Sequence, residues 1–311
     1  MPRAEVDSQF ATCTDWPLDS VIATNGTSSS RAGTPEAPLE LIETVETFRR
    51  ALATERASGR LVGLVPTMGA LHAGHVSLIE RAVRECDVVA VTVFVNPLQF
   101  DVADDLDRYP RDLSADCARA RRAGAQMVFA PKRSEMVPQD MATTVSVGGV
   151  GEGMEGAARP GHFDGVATIV TKLFAVAGPC RAYFGEKDYQ QVLVMRRLVA
   201  DLGFPVDIVA CPTVRADDGL ALSSRNGRLC PAERATAPVL HRALVAGAAV
   251  VGTGETDPAA VEAAITEVMA QEPLARIDYV RAGSEDGGGW RLYVAACIGD
   301  VRLIDNLAVT P

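Results

Sequence analysis

The sequence predicts an α/β fold: a doubly wound parallel sheet followed by a smaller C-terminal α+β domain. Three observations predict it. Short apolar, β-branched runs alternate with segments of helical spacing between residues 61 and 210. The residues able to carry chemistry cluster where those runs give way to helices. After residue 213 the texture changes to Ala-rich helical stretches and then short strands.

Taken in order, residues 1–38 are rich in Ser, Thr, Ala and Pro, hold the run Thr27-Ser28-Ser29-Ser30, and have no sustained period. They predict a disordered extension. From Leu39 onward Leu41, Ile42, Val45, Phe48 and Leu52 recur at helical spacing, so the folded region is expected to begin there with a helix. An apolar run at 61–66, a turn containing Gly and His, a helical pattern over about 74–85 and a second apolar run at 87–95 make strand, helix, strand. Such a βαβ unit requires a parallel sheet with a right-handed crossover. The alternation continues with helices at 112–123, 164–177 and 188–202 and strands at 126–130, 181–184 and 206–210. Ligands of such a sheet sit beyond the carboxyl ends of its strands. Helices at 231–251 and 258–271, then strands at 277–281, 292–297 and 301–304, are assigned to the second domain. The expected division is therefore 39–213 and 214–311.

A chain of 311 residues is long for one core and comfortable for two. Its 48% hydrophobic and 23% charged residues suit a soluble globular protein. Thirty basic against forty acidic residues give a formal charge of −10, which makes nucleic acid a poor partner. The seven cysteines are scattered, with no Cys-x-x-Cys spacing, so neither a disulfide framework nor a zinc site is expected, and a reducing cytoplasm is. No segment approaches the roughly 20 apolar residues of a membrane span, and no basic stretch followed by an apolar one opens the chain. Secretion and membrane insertion are not expected.

Four constellations carry chemistry. The first, Met68-Gly69-Ala70-Leu71-His72-Ala73-Gly74-His75, lies in the first strand-to-helix turn. Two imidazoles around Gly74 at a helix N-terminus suit phosphate, because free N–H groups and the helix dipole attract anions there. Two of the chain's four histidines fall in this one turn, which favours function over chance surface histidines. The second, Asn96-Pro97-Leu98-Gln99, ends the next strand and offers uncharged amides that can orient a hydroxy acid. The third is Gly185-Glu186-Lys187-Asp188, followed by Tyr189-Gln190-Gln191. Here Gly185 permits close backbone approach and Lys187 can reach a polyphosphate as a point charge. The fourth, Leu222-Ser223-Ser224-Arg225, lies in a loop at the domain boundary that could close over a triphosphate. By itself this last stretch reads equally well as a hydrophilic linker.

Together these stretches resemble the pantothenate synthetase (pantoate–beta-alanine ligase) family, over nearly all of residues 39–308. Further matches lie at 105–111, 155–163, 213–215 and 303–306. The His-x-Gly-His turn alone marks only the nucleotidyltransferase superfamily, whose fold is Rossmann-like. The resemblance implies an ATP site made by Met68, Gly69, Ala70, Leu71, His72, Ala73, Gly74, His75, Gly185, Glu186, Lys187, Asp188, Val214, Leu222, Ser223, Ser224 and Arg225. It implies catalytic roles for His75, His72 and Lys187, with His75 in the place usually given to a proton donor. Gln99 and Gln191 would hold pantoate, Gln99 would also lie near beta-alanine, and Asn96, Arg159 and His162 would border the substrates. Asp116 resembles the acidic position associated with magnesium, and the family is typically a homodimer. Leu222 departs from a frequent methionine, an exchange of similar volume.

The implied reaction is ATP-dependent condensation of pantoate with beta-alanine through a pantoyl adenylate, with ATP and Mg2+ as co-substrate and cofactor. Another nucleotidyltransferase acting on a phosphate ester would call for Arg or Lys in place of Gln99 and Gln191. A non-catalytic nucleotide-binding homologue would have little use for His72, His75, Lys187 and Arg225 together.

Overall fold

The computed structural model describes residues 39–100, 103–285 and 288–310; the expected extension at 1–38 lies outside the described residues. Strand β1 (Glu40–Ile42) precedes helix α1 (Val45–Ala57), β2 (Val62–Thr67), α2 (Ala73–Glu85) and β3 (Val88–Val93). A 3-10 turn at Pro97–Gln99, the short α3 (Ala103–Asp107) and α4 (Leu113–Arg122) lead to β4 (Met127–Phe129). The single-turn helices α5 (Arg133–Met136) and α6 (Glu155–Ala158) precede α7 (His162–Ala177), β5 (Cys180–Gly185), α8 (Tyr189–Leu202) and β6 (Val206–Cys211). The C-terminal part holds α9 (Pro231–Thr236), α10 (Val239–Gly252), α11 (Pro258–Ala270), β7 (Ala275–Ser284), β8 (Trp290–Ile298) and β9 (Val301–Val309).

The first six strands form one parallel sheet in the order β1-β4-β3-β2-β5-β6. Apolar side chains cover both faces, which is why β2 and β3 read as continuous runs rather than alternating ones. Phe48 and Leu52 of α1, the apolar length of α7 and Val192, Val194, Met195 and Leu198 of α8 fill one face. Leu78, Ile79 and Ala82 of α2 with Ala120 of α4 fill the other. From β2 the chain moves to β3 on one side and later returns to β5 on the other, so β2 and β5 flank the switch point. Their pairing covers only Gly63 with Arg181 and Leu64 with Ala182. Both strands run on for three more residues without pairing to each other, and a crevice opens at their carboxyl ends.

The expected helix from Leu39 is two elements. Leu41 and Ile42 belong to β1, which pairs with β4, and helix α1 begins only after Thr44, whose side chain caps the Thr47 N–H at 3.3 Å. A three-residue strand adds too few apolar positions to disturb a helical count. The expected helix at 231–251 is also two, α9 and α10, separated at Ala237 and Pro238. Residues 231–252 are nonetheless the one stretch among the described residues long and apolar enough to cross a membrane, contrary to the expectation of none. Its apolar face is buried, with Leu240, Ala243 and Leu244 in the C-terminal core against Leu292, Val294 and Ala296 of β8. The antiparallel sheet β7-β8-β9 is longer than its expected strands, because buried polar residues such as Arg291, Asp305 and Asn306 interrupt the apolar runs.

One close approach sets the second constellation. A Cβ on Gly165 of α7 would lie 2.1 Å from the Leu98 carbonyl oxygen and 2.7 Å from the Gln99 nitrogen. The Pro97–Gln99 turn therefore rests directly on the α7 backbone. Helix propensity alone predicts that Gly165→Ala stabilises by about 1 kcal/mol. The backbone clash predicts the opposite: a lower Tm, read by thermal melts of the variant beside the parent protein.

Candidate active site

The crevice is the mouth of a cavity of about 630 Å³ that reaches the C-terminal sheet. Its geometry begins with the turn after β2. Thr67 donates to the Thr92 carbonyl oxygen of β3 at 2.6 Å and accepts the Gly69 N–H at 3.1 Å. Gly69 and Ala70 then take positive φ values of 83° and 50°, which reverses the chain. Ala pays a steric penalty in that region, so something must hold it. Asp116 does so: its buried carboxylate accepts the Ala70 N–H at 3.0 Å and the Leu71 N–H at 2.8 Å. A Cβ on Gly69 would lie 2.8 Å from the same carboxylate.

The turn delivers the chain to the N-terminus of α2. Nδ1 of His72 accepts the Gly74 N–H at 3.1 Å, and Nδ1 of His75 accepts the His72 N–H at 3.3 Å. The two rings lie 4.1 Å apart. Gly74 is required because a Cβ there would come within 2.9 Å of the His72 ring. With Nδ1 accepting in both rings, the proton sits on Nε2, so each imidazole is a neutral N–H donor. Removal from water, helped by Lys187, lowers the His72 pKa to about 4. Removal from water and then the neighbouring His72 lower that of His75 to about 3. Both rings thus present neutral hydrogen-bond donors to the crevice.

Opposite, Gly185, Lys187 and Asp188 line the cavity from the turn after β5, with the Lys187 ammonium 3.6 Å from the Asp188 carboxylate. Gln190 and Gln191 both line it from α8, and the Gln190 amide also binds the Glu155 N–H and the Val150 and Gly153 carbonyls. From the third side, Asn96 and Gln99 are joined at 2.9 Å, and Asn96 also donates to the Gly165 carbonyl at 3.0 Å. Arg159 and His162 line the cavity, and both hold the Gln99 carbonyl, at 3.0 and 2.9 Å. Burial, then the nearby Arg159, lowers the His162 pKa. Met68, Val214, Leu222, Ser223, Ser224 and Arg225 complete the wall.

Six expected residues do not line the cavity. Gly69, Ala70 and Leu71 turn their backbone toward Asp116, and Ala73 lies in the first turn of α2 beside them. Glu186 stands 3.9 Å from Arg291. Asp116 lies beneath the turn, where each carboxylate oxygen accepts one N–H. Among the described residues no three His, Cys, Asp or Glu side chains group to hold a metal.

Two contacts had no local sequence signal. Arg225 pairs with Asp105 at 3.0 Å, and Arg228 pairs with the same carboxylate. Glu155 of α6 binds Arg302 of β9 through two bonds of 2.8 and 2.7 Å and the Tyr279 hydroxyl at 2.9 Å. Each joins residues more than a hundred positions apart, which no spacing rule reaches.

The matching family model, described as pantoate-beta-alanine ligase, covers residues 40–308. The pantothenate synthetase of Rhizorhabdus wittichii is 51% identical over 88% of this chain and 99% of its own length. That of Moorella thermoacetica is 47% identical over 87% and 99%. The crystal structure of pantothenate synthetase from Thermus thermophilus superposes with a TM-score of 0.82 at 50% identity, covering 88% of this chain and all of the other. A pantoate-beta-alanine ligase from Francisella tularensis, solved with beta-gamma ATP and beta-alanine, gives a TM-score of 0.73 at 32% identity over 86% and 97%.

Two outcomes test the geometry. Unfolded histidines take up protons near pH 6.5, whereas His72 and His75 resist doing so until about pH 4 and 3. Their stabilising effect is full above pH 6.5 and is lost as pH falls toward those values. Scanning calorimetry should show Tm falling over that window, with a shallower fall in His75→Asn, which keeps an acceptor for the His72 N–H. Asp116→Asn should lower both Tm and turnover while leaving the magnesium concentration for half-maximal rate unchanged; a large rise in that concentration would return Asp116 to the metal.

Proposed function

The chain belongs to the pantoate–beta-alanine ligase family, and we propose that its cavity first activates pantoate as an acyl adenylate and then transfers the acyl group to beta-alanine. It is an ATP-dependent acid–amine ligase that forms pantothenate, AMP and pyrophosphate. The observation that carries the stepwise reading is the convergence of two neutral Nε2–H donors, a helix N-terminus and Lys187 on one crevice.

A carboxylate is a poor acyl donor because its leaving group would be oxide. An oxygen of pantoate attacks the α-phosphorus, the bond to the bridging oxygen breaks, and pyrophosphate departs. Negative charge on the phosphoryl oxygens is met by His72, His75 and Lys187, preorganised donors in a partly dry site. Gln99 and Gln191 orient the hydroxyl and carboxylate groups of pantoate without adding charge. The Ser223, Ser224 and Arg225 loop meets the phosphates once Arg225 exchanges Asp105 for them. The beta-alanine amine then attacks the acyl carbon, the bond to AMP breaks, and the amine sheds a proton. Magnesium is expected to enter on the nucleotide, held by phosphate oxygens and water.

The same reading takes the protein as a cytoplasmic homodimer that binds neither nucleic acid nor membrane. The free thiols of Cys86, Cys117, Cys180, Cys211, Cys230 and Cys297 support the reducing compartment, and the net charge of −10 supports the absence of nucleic acid.

Exchange of labelled pyrophosphate into ATP should require pantoate and proceed without beta-alanine; exchange that waits for beta-alanine would exclude a free-standing adenylation step. His75→Asn should slow that exchange by about a hundredfold, the scale of a lost transition-state donor. Its single-turnover conversion of synthetic pantoyl adenylate and beta-alanine should suffer much less.

A further inference from the structure

The turn that carries Lys187 is not held by its own domain alone. Asn306 of β9 is 4% exposed, and its Nδ2 donates to the Glu186 carbonyl at 2.7 Å and to the Lys187 carbonyl at 2.9 Å. Its Oδ1 accepts from Arg291 at 3.0 Å, and Arg291 lies 3.5 Å over the Tyr189 ring at the start of α8. The preceding residue faces the other loop. Asp305 binds Arg215 through two bonds of 2.6 and 3.0 Å and accepts the Asn306 N–H at 2.8 Å. Arg215 sits in the segment leading to Ser223, and it also donates to the Asn306 carbonyl at 3.2 Å.

We propose that Asn306 is a positioning residue for adenylation, fixing the Lys187 turn against the crevice from the C-terminal sheet. This rests on the reading of Lys187 as a phosphate contact. Asn306 gives two half-buried carbonyls of the 3-10 turn a donor from outside their own segment, and a carbonyl stripped of such a partner is costly to leave unmade. An amide is suited to this position because one nitrogen supplies two donors while its oxygen still takes the Arg291 proton. A carboxylate of the same shape would keep Arg291 and face two carbonyl oxygens with no proton between. Strand β9 thus sets the spacing of two phosphate-facing segments at once, the Lys187 turn through Asn306 and the Ser223 loop through Asp305.

The test is a double-mutant cycle on full-length protein, read in both half reactions. Asn306→Asp should slow adenylate formation from ATP and pantoate by about tenfold or more. It should leave amide formation from synthetic pantoyl adenylate within about threefold, since that step no longer needs the pyrophosphate contacts. In a Lys187→Ala background the same substitution should add less than about threefold, because its target is already gone. Asn306→Ser, which retains one donor, should lose less than Asn306→Asp, and it carries the cycle if the aspartate variant does not fold. Equal losses in both half reactions, or an undiminished effect in the Lys187→Ala background, would overturn the proposal. If Lys187→Ala itself leaves adenylation intact, the phosphate role of Lys187 fails instead.

Discussion

The site depends on one buried carboxylate. Between β2 and α2 the chain must reverse within a few residues and arrive with two imidazoles over a helix N-terminus. Gly69 and Ala70 achieve the reversal in left-handed backbone, and Ala70 has a Cβ that opposes it. Asp116 offsets that cost by taking the Ala70 and Leu71 N–H groups, which no strand or helix partner could satisfy. Position 69 must be glycine because the carboxylate sits where a Cβ would go. This buried acidic residue is therefore the tie that holds the turn leading to His72 and His75.

The imidazoles illustrate how donors for a phosphate can be kept uncharged. Each ring spends Nδ1 on a free N–H of the helix N-terminus, so the orphan donors of α2 are capped by the side chains that line the site. Burial holds the rings neutral, helped by Lys187 at His72 and by His72 at His75, and positive charge is left to Lys187 and Arg225. Arg225 is paired with Asp105, so a phosphate would replace one anion with another rather than meet a bare guanidinium.

The C-terminal sheet takes part in the same geometry through three separate ties. Glu155 with Arg302 joins β9 to α6, Asp305 with Arg215 reaches the segment before Ser223, and Asn306 reaches the turn of Lys187. Such buried charged pairs contribute little net stability, because desolvation consumes most of their attraction. Their value lies in geometry, since breaking one leaves an unpaired charge and so discourages other arrangements.

Much was legible in the sequence by itself. Period and β-branched runs located the parallel strands and their long helices, because a helix or strand must bury one face whatever surrounds it. The strand-to-helix turns with His72, His75, Lys187 and Gln99 were legible because their residue types are unusual at such positions. The tertiary structure decided what distance along the chain hides. Asp116 holds a turn 45 residues away, and Gln190 at the cavity wall binds the Glu155 N–H 35 residues before it. Arg159 and His162 grip a backbone carbonyl, and Asn306 supports a turn 119 residues before it. A carboxylate or amide has the same local signature whether it meets a ligand or a peptide group. Only the fold, by bringing one or the other within about 3 Å, assigns its role.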